Sequence, residues 1–166
     1  MQIEVALADY HNPSHRDLIP RLLDAYASDP MGGGTPLKSE VKETLVTELA
    51  KLPHAFSLIA WVDGEPAGLM NCFELFSTFA CKPLINIHDV VVLEKFRRQG
   101  VGQRLLEKVE AIAKEKGCCK LTLEVLDNNE PAKKAYTQFG FSGYELDPEA
   151  GSALFWEKEI SYTNSS

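Results

Sequence analysis

Val90-Val91-Val92-Leu93-Glu94-Lys95-Phe96-Arg97-Arg98-Gln99-Gly100-Val101-Gly102-Gln103-Arg104-Leu105-Leu106 changes character twice. It opens as a β-branched apolar run, passes through a basic turn holding two glycines, and ends in helical spacing. The run Leu84–Leu93, with Ile85, Ile87 and the three valines, has the pattern of a strand buried on both faces. Downstream, Leu105, Leu106, Val109 and Ile112-Ala113 form the apolar stripe of a helix. A helix starting directly after such a turn has first-turn N–H groups without intrahelical partners. Together with the helix dipole they make a binding place for a bulky anion such as a phosphate. Between Glu94 and Arg104 four cations face one carboxylate, a local net of +3; the whole 166-residue chain carries −7, which leaves −10 elsewhere. The turn is not a Walker loop, because no Gly-Lys-Ser/Thr follows. Nor is it the dinucleotide GxGxxG fingerprint, because the third glycine and downstream βα repeats are missing.

Hydrophobic residues make up 45% of the chain and charged residues 25%, the profile of one globular domain. We read residues 1–161 as that domain and 162–166 as a frayed tail. The acidic balance excludes a general nucleic-acid binder, which needs a basic face. No apolar run approaches the roughly 20 residues of a membrane span, so no membrane partner is expected. Met1-Gln2-Ile3-Glu4 lacks a basic region followed by an apolar run, so no signal peptide is expected. Cys72, Cys81, Cys118 and Cys119 form no CxxC pair, and His11, His15, His54 and His88 are scattered. That usage fits reduced thiols in a cytoplasmic protein and implies no metal site.

Working outward from the glycine turn, Ile3–Leu7 alternates as a strand, and a helix starts at Ser14 or His15, with Leu18, Ile19, Leu22, Leu23 and Tyr26 as its stripe. Asp29–Pro36 stops it. A second helix follows over Ser39–Lys51 with Ser39 as N-cap. Ala55–Val62 and Pro66–Ser77 read as strands joined at Asp63-Gly64. After the central strand come the helix Val101–Lys116, a strand over Lys120–Leu126, a short helix over Glu130–Phe139, and two strands, Phe141–Leu146 and Ala153–Ile160, paired as a hairpin. The order β, α, α, β, β, β, α, β, α, β, β describes an α/β (α+β) mixed sheet with helices on its faces.

Arg97-Arg98-Gln99-Gly100-Val101-Gly102 resembles the (Gln/Arg)-x-x-Gly-x-(Gly/Ala) signature of the GNAT acetyltransferase superfamily. Asn129-Glu130-Pro131-Ala132, Tyr136 and Phe139-Gly140-Phe141 resemble that family's Asn-x-x-Ala-x-x-x-Tyr…Gly-Phe segment, and the element order is similar over about residues 2–160. The resemblance implies a mostly antiparallel central sheet splayed at the cofactor strand, with acetyl-CoA (coenzyme A) as cofactor. It implies that Arg97, Arg98, Gln99, Gly100, Val101, Gly102 and Gln103 hold the pyrophosphate. It assigns the pantetheine arm to Val90, Val91 and Val92, and further cofactor contacts to Asn129, Pro131, Ala132 and Tyr136. It makes Tyr136 the acid that protonates the departing sulfur, and it allows a homodimer.

The residues themselves leave the base open. Period-two alternation sends His88 and Asp89 to opposite faces. Histidine suits base work near neutrality, whereas Asp89 could act through water or attract a cationic amine. A hydrogen-bonded strand histidine is the alternative. Glu74 could face the substrate or be a solvated strand carboxylate. Phe76 and Thr78, within Phe73–Phe79, could line an acceptor pocket or be ordinary packing. Met31 sits in a glycine loop that would form either a wall of the acceptor site or a plain connector.

Within the superfamily the chain is most similar to the diamine (spermidine/spermine and thialysine) N-acetyltransferases. Phe76-Ser77-Thr78-Phe79 resembles their Tyr-Ser-Thr-Trp, and Gly117-Cys118-Cys119 their Gly-Cys. Where those enzymes read Leu-Glu-Asp this chain has Ile87-His88-Asp89, so a carboxylate is replaced by His88. The resemblance therefore implies acetyl transfer to a primary amine of a small molecule, in a ternary complex. The alternatives are a protein or peptide acetyltransferase and a non-catalytic acyl-CoA-binding module.

Overall fold

A computed structural model of the chain describes residues 1–143 and 149–162. Five strands form one sheet in the order β1-β2-β3-β4-β5: β1 (Ile3–Leu7), β2 (Ala55–Val62), β3 (Glu65–Ser77), β4 (Lys82–Val92) and β5 (Leu121–Leu123). The first three pairings are antiparallel; β4 and β5 run parallel. The connection between those parallel strands is α3 (Val101–Glu115), as a parallel crossover requires. The β2–β3 hairpin turns on Asp63 and Gly64, both at positive φ, which matches the twist of the flanking strands.

The sheet buries both faces. Leu58, Ala60, Met70, Ile85 and Ile87 pack with Val101, Leu105, Leu106 and Val109 of α3. On the opposite face Ile59, Leu69 and Val91 pack with Leu18, Ile19 and Leu22 of α1 (Pro13–Ser28) and Val46 of α2 (Ser39–Ala50). Helix α4 (Glu130–Phe139) places Tyr136 and Phe139 against the α3-side cluster. The expected GNAT-like mixed sheet with helices on both faces is therefore present.

Several boundaries differ from the sequence reading. Helix α1 starts one or two residues earlier, at Pro13, and is capped by Asn12, whose side chain accepts from Ser14 N and His15 N. Ser39 is inside α2, which starts after Lys38 without a side-chain cap. The strand expected over Lys120–Leu126 shrinks to Leu121–Leu123, because β4 pairs with it only over Ile85–Ile87. The expected terminal hairpin is not formed among the described residues. Residues 153–160 have no strand pairing, and Leu154, Phe155, Trp156 and Ile160 are exposed. Alternation gave those residues strand character, but a strand needs a partner, and none accompanies them here. Of Phe141–Leu146, residues 144–146 lie outside the described residues.

Candidate active site

Two irregularities in β4 create the site. The first is a bulge: Cys72 pairs with Ile87, but Asn71 pairs with Asp89, so His88 is an extra residue. The second is the end of the parallel pairing at Ile87–Leu123. Beyond that point β4 runs on to Val92 while Glu124, Val125 and Leu126 diverge, so one edge of β4 faces a gap. That gap opens a cleft of about 1200 Å³. It is lined on the α3 side by Val90, Val92, Leu106, Asn129 and Tyr136, and on the α1 side by Tyr26, Met31 and Gly33. The cleft therefore reaches both faces of the sheet through the split between β4 and β5.

One end of the cleft is the N-terminus of α3. Gly100 occupies the N-cap at φ +93, a left-handed conformation that disfavours side chains. It has no side chain to cap the helix, and the first backbone bond of α3 runs from Arg104 N to the Gly100 carbonyl. The amides of Val101, Gly102 and Gln103 thus precede the ladder and remain available to an anion. Arg97 and Arg98 line the same end. Arg97 is partly committed: Nε donates to the Val92 carbonyl at 3.1 Å and Nη2 to Asp29 at 3.1 Å. This end is uncapped, lacks Cβ atoms at two positions and is cationic, so it fits the phosphates of a nucleotide-type cofactor. The free edge of β4 fits an extended amide-bearing arm.

The middle of the cleft holds Tyr136 and His88. Tyr136 stands edge-on to Phe141 with centroids 5.9 Å apart. Burial, with a smaller contribution from Tyr26, pushes its phenol above the ordinary tyrosine range, so it holds its proton at neutral pH. Asn129 caps α4 by accepting from Ala132 N at 3.3 Å. His88, projected by the bulge, is exposed and stands edge-on to Phe73 at 5.5 Å. Asp89 lies toward the α1 side, where it accepts from Asn71 Nδ2 at 3.0 Å. The bulge interrupts the alternation on which the expected opposition of His88 and Asp89 rested, and His88 packs on Phe73, which lies on the β3 face that also carries Asn71.

Among the other candidate residues, Met31, Arg98, Gly100, Val101, Gly102, Gln103, Asn129, Pro131 and Ala132 line the cleft. Val91 and Asp89 do not: Val91 is buried against α1, and Asp89 is half-buried beside Asn71. Gln99 turns back to the Lys95 carbonyl at 3.2 Å. Glu74 pairs with Lys116 at 3.2 Å. Phe76 and Thr78 are exposed near the β3–β4 turn, outside the cleft lining. Sequence reasoning missed Tyr26 and Glu124, which line the cleft. Tyr26 falls on the apolar stripe of α1, so periodicity assigns it to the core. Burial and the nearby carboxylates of Asp89, Asp29 and Glu124 all raise its phenol.

Comparisons with known proteins identify the family and the fold. The chain is 39% identical over 56 residues to thialysine N-epsilon-acetyltransferase of Bos taurus, covering 34% of this chain and 33% of that protein. It is 33% identical over 84 residues to the Sus scrofa protein of the same name, covering 46% and 48%. The matches thus span about a third to a half of the length of these relatives. A putative [ribosomal protein bS18]-alanine N-acetyltransferase of Bacillus subtilis is 28% identical over 121 residues, covering 69% of this chain and 76% of that one. Among solved structures, an aminoglycoside acetyltransferase from an uncultured soil metagenomic sample, in complex with trehalose, superimposes with a TM-score of 0.75. Its identity is 17%, with 96% of this chain and 97% of that chain covered, a likeness of fold. The acetyltransferase (GNAT) family profile matches residues 19–141, and the chain belongs to that family, whose members use acetyl-CoA.

Proposed function

We propose that this chain moves the acetyl group of acetyl-CoA to a primary amine of a small molecule, by direct attack of the amine in a ternary complex. The observation that carries the reading is the single cleft running from the α3 N-terminus, past Tyr136 and His88, to the loop after α1. A donor and an acceptor entering from opposite faces of the sheet would meet at the β4 bulge. Acetyl-CoA, when bound, supplies the activated acetyl thioester and a thiolate leaving group.

The chain's own residues supply the rest. Amides of Val101, Gly102 and Gln103, with Arg98, would hold the phosphates; Asn129, Pro131 and Ala132 would contact the arm as it passes α4. The open edge of β4 at Val90 and Val92 would pair with the pantetheine amides and offer an N–H to the thioester carbonyl. Tyr136, kept protonated by burial, would deliver its proton to the departing sulfur. His88, exposed at the bulge, would accept the proton of the attacking amine. Asp89, Tyr26 and Glu124 would make the acceptor end favourable to a cation. The names of the thialysine relatives support a small-molecule amine.

A second reading is acetylation of a peptide or protein amine. The Bacillus subtilis relative, matched over two thirds of this chain, favours it. Release of free CoA from acetyl-CoA should be measured against thialysine, spermidine, kanamycin and alanine- or lysine-terminated peptides. Turnover on the small amines supports the first reading, and turnover confined to peptides replaces it with the second. Absence of turnover on all of them, with acetyl-CoA bound, leaves a binding module without catalysis.

A further inference from the structure

A line of hydrogen-bonded side chains crosses the α1 face of the sheet through otherwise apolar surroundings. The Tyr10 hydroxyl lies 2.8 Å from Ser57 Oγ, Ser57 Oγ donates to Asn71 Oδ1 at 2.6 Å, and Asn71 Nδ2 donates to Asp89 Oδ2 at 3.0 Å. Ser57 is 0% and Asn71 4% exposed, the buried polar residues among those described. Ile59, Leu69 and Val91 occupy the same face.

The chemistry gives the line a direction. An ionised Asp89 only accepts, so the amide nitrogen of Asn71 must face it and the amide oxygen must face Ser57. Ser57 spends its one proton on that oxygen. Tyr10 must then donate to Ser57. Burial raises the Tyr10 phenol, opposed in part by the Ser57 contact, so Tyr10 keeps the proton this requires. Every donor in the line therefore points toward Asp89.

The line also depends on the bulge. With unbroken pairing beyond Cys72 and Ile87, Asn71 would stand opposite His88; the inserted residue brings Asp89 there instead. The fold does not call for such a line. A leucine at position 71 would fill a similar volume without the cost of burying an amide. The line ends where the protein stops being apolar: Asp89 is half-buried and close enough to raise Tyr26, which lines the cleft.

We infer that Asn71 is a positioning residue that fixes the half-buried Asp89 carboxylate beside the acceptor end of the cleft, between the lining residues His88 and Val90, leaving Oδ1 for an amine that arrives as an ammonium ion. The inference rests on the acetyl-transfer reading and deepens it: the acceptor is bound as a cation through Asp89 before it is deprotonated. Among the described residues Asp89 Oδ1 has no hydrogen-bond partner, so it can accept one.

The test compares Asn71→Leu, Asp89→Asn and the double variant, using whichever of thialysine, spermidine and kanamycin the wild type acetylates fastest. Deleting a hydrogen bond to a charged group predicts an acceptor kcat/KM lower by about tenfold or more in Asn71→Leu. The KM for acetyl-CoA stays within about twofold, and the double variant is no worse than Asp89→Asn, because both changes remove one interaction. A melting temperature close to wild type accompanies this result. Unchanged acceptor kcat/KM, additive losses, or equal effects on donor and acceptor overturn the inference. Should Asn71→Leu fail to fold, Ser57→Ala replaces it; it releases the amide orientation and should lower acceptor kcat/KM in the same direction, and no change there overturns the inference. Acetylation by wild type with an indifferent Asn71→Leu sinks this inference alone. No acetylation of any of the three amines by wild type sinks it together with the reading beneath it.

Discussion

Arg97 and Asp29, 68 residues apart in sequence, are joined by a 3.1 Å ion pair that links the two walls of the cleft. Arg97 follows β4 and is tied to the Val92 carbonyl. Asp29 ends α1 and caps the short turn Pro30–Gly32, its side chain accepting from Met31 N at 2.9 Å. That amide bond first, and the Arg97 bond second, hold the Asp29 carboxyl below the ordinary carboxylate range. The turn before α3 and the loop after α1 are thus mechanically connected.

Asp29→Ala removes both the cap and the ion pair. The exposed ion pair contributes under about 1 kcal/mol, and the lost cap costs on the order of 1 kcal/mol. The expected result is a small fall in melting temperature and a rise of roughly threefold to thirtyfold in acceptor KM, as the loop carrying Met31 loses its anchor. Acetyl-CoA affinity, read by calorimetry, should change little because Arg97 keeps its bond to Val92. The Asp29 contribution has a defined sign with pH: a depressed carboxyl stabilises above its unfolded value and is lost as pH falls through its folded one. Asp29→Ala should therefore narrow its stability gap to wild type on acidification. A gap that widens on acidification would count against the described contacts.

Gly100→Val and Gly102→Ala separate folding from cofactor binding. Gly100 sits at φ +93, so a β-branched residue there is strained by about 1–2 kcal/mol. Its melting temperature should fall along with acetyl-CoA affinity. A Cβ on Gly102 would meet only Val92 Cγ2 at 3.9 Å, an ordinary contact, so Gly102→Ala should fold normally. The added methyl sits beside the first-turn amides and should weaken acetyl-CoA binding by about tenfold, equivalent to roughly 1.4 kcal/mol. Wild-type affinity in both variants would move the phosphate site away from α3.

Tyr136→Phe keeps the ring and its edge contact with Phe141 but deletes the proton. If the phenol is the acid, kcat should fall by about 10²–10⁴-fold with acetyl-CoA affinity nearly unchanged. Because burial raises this phenol, wild type should show no alkaline limb from Tyr136 below about pH 10. Full activity in the variant would remove Tyr136 from the chemistry.

His88→Ala tests the base. The side chain is exposed and stands edge-on to Phe73, so its loss should cost little stability. A drop in kcat/KM of about 10²-fold or more, with loss or displacement of the acidic limb of the pH–rate profile, is expected of a general base. An acidic limb that stays where wild type has it would assign the proton to water or to Asp89.

Much of this molecule was legible locally. Ala55–Val62 and Glu130–Phe139 carry their own boundaries, through β-branched residues and a glycine turn in one case and Asn129, Pro131 and Gly140 in the other. The phosphate-type turn is equally local, since Gly100, Gly102 and the start of α3 act through the backbone of contiguous residues. What depended on pairing was not legible. Strand β5 is short because β4 stops pairing with it at Ile87, and the alternation of residues 153–160 says nothing about whether a neighbour lies alongside.

The sequence by itself therefore determined the element order as far as α4, the mixed sheet and the uncapped glycine turn before α3, because each follows from short-range periodicity and backbone chemistry. Only the tertiary structure decided which side chains share the cleft. The bulge at His88 sets where Asp89 points, the split between β4 and β5 admits Tyr26 and Glu124, and Arg97 reaches Asp29 across the fold. A one-residue change of register reverses the face of every side chain beyond it, and no local pattern records where that change falls.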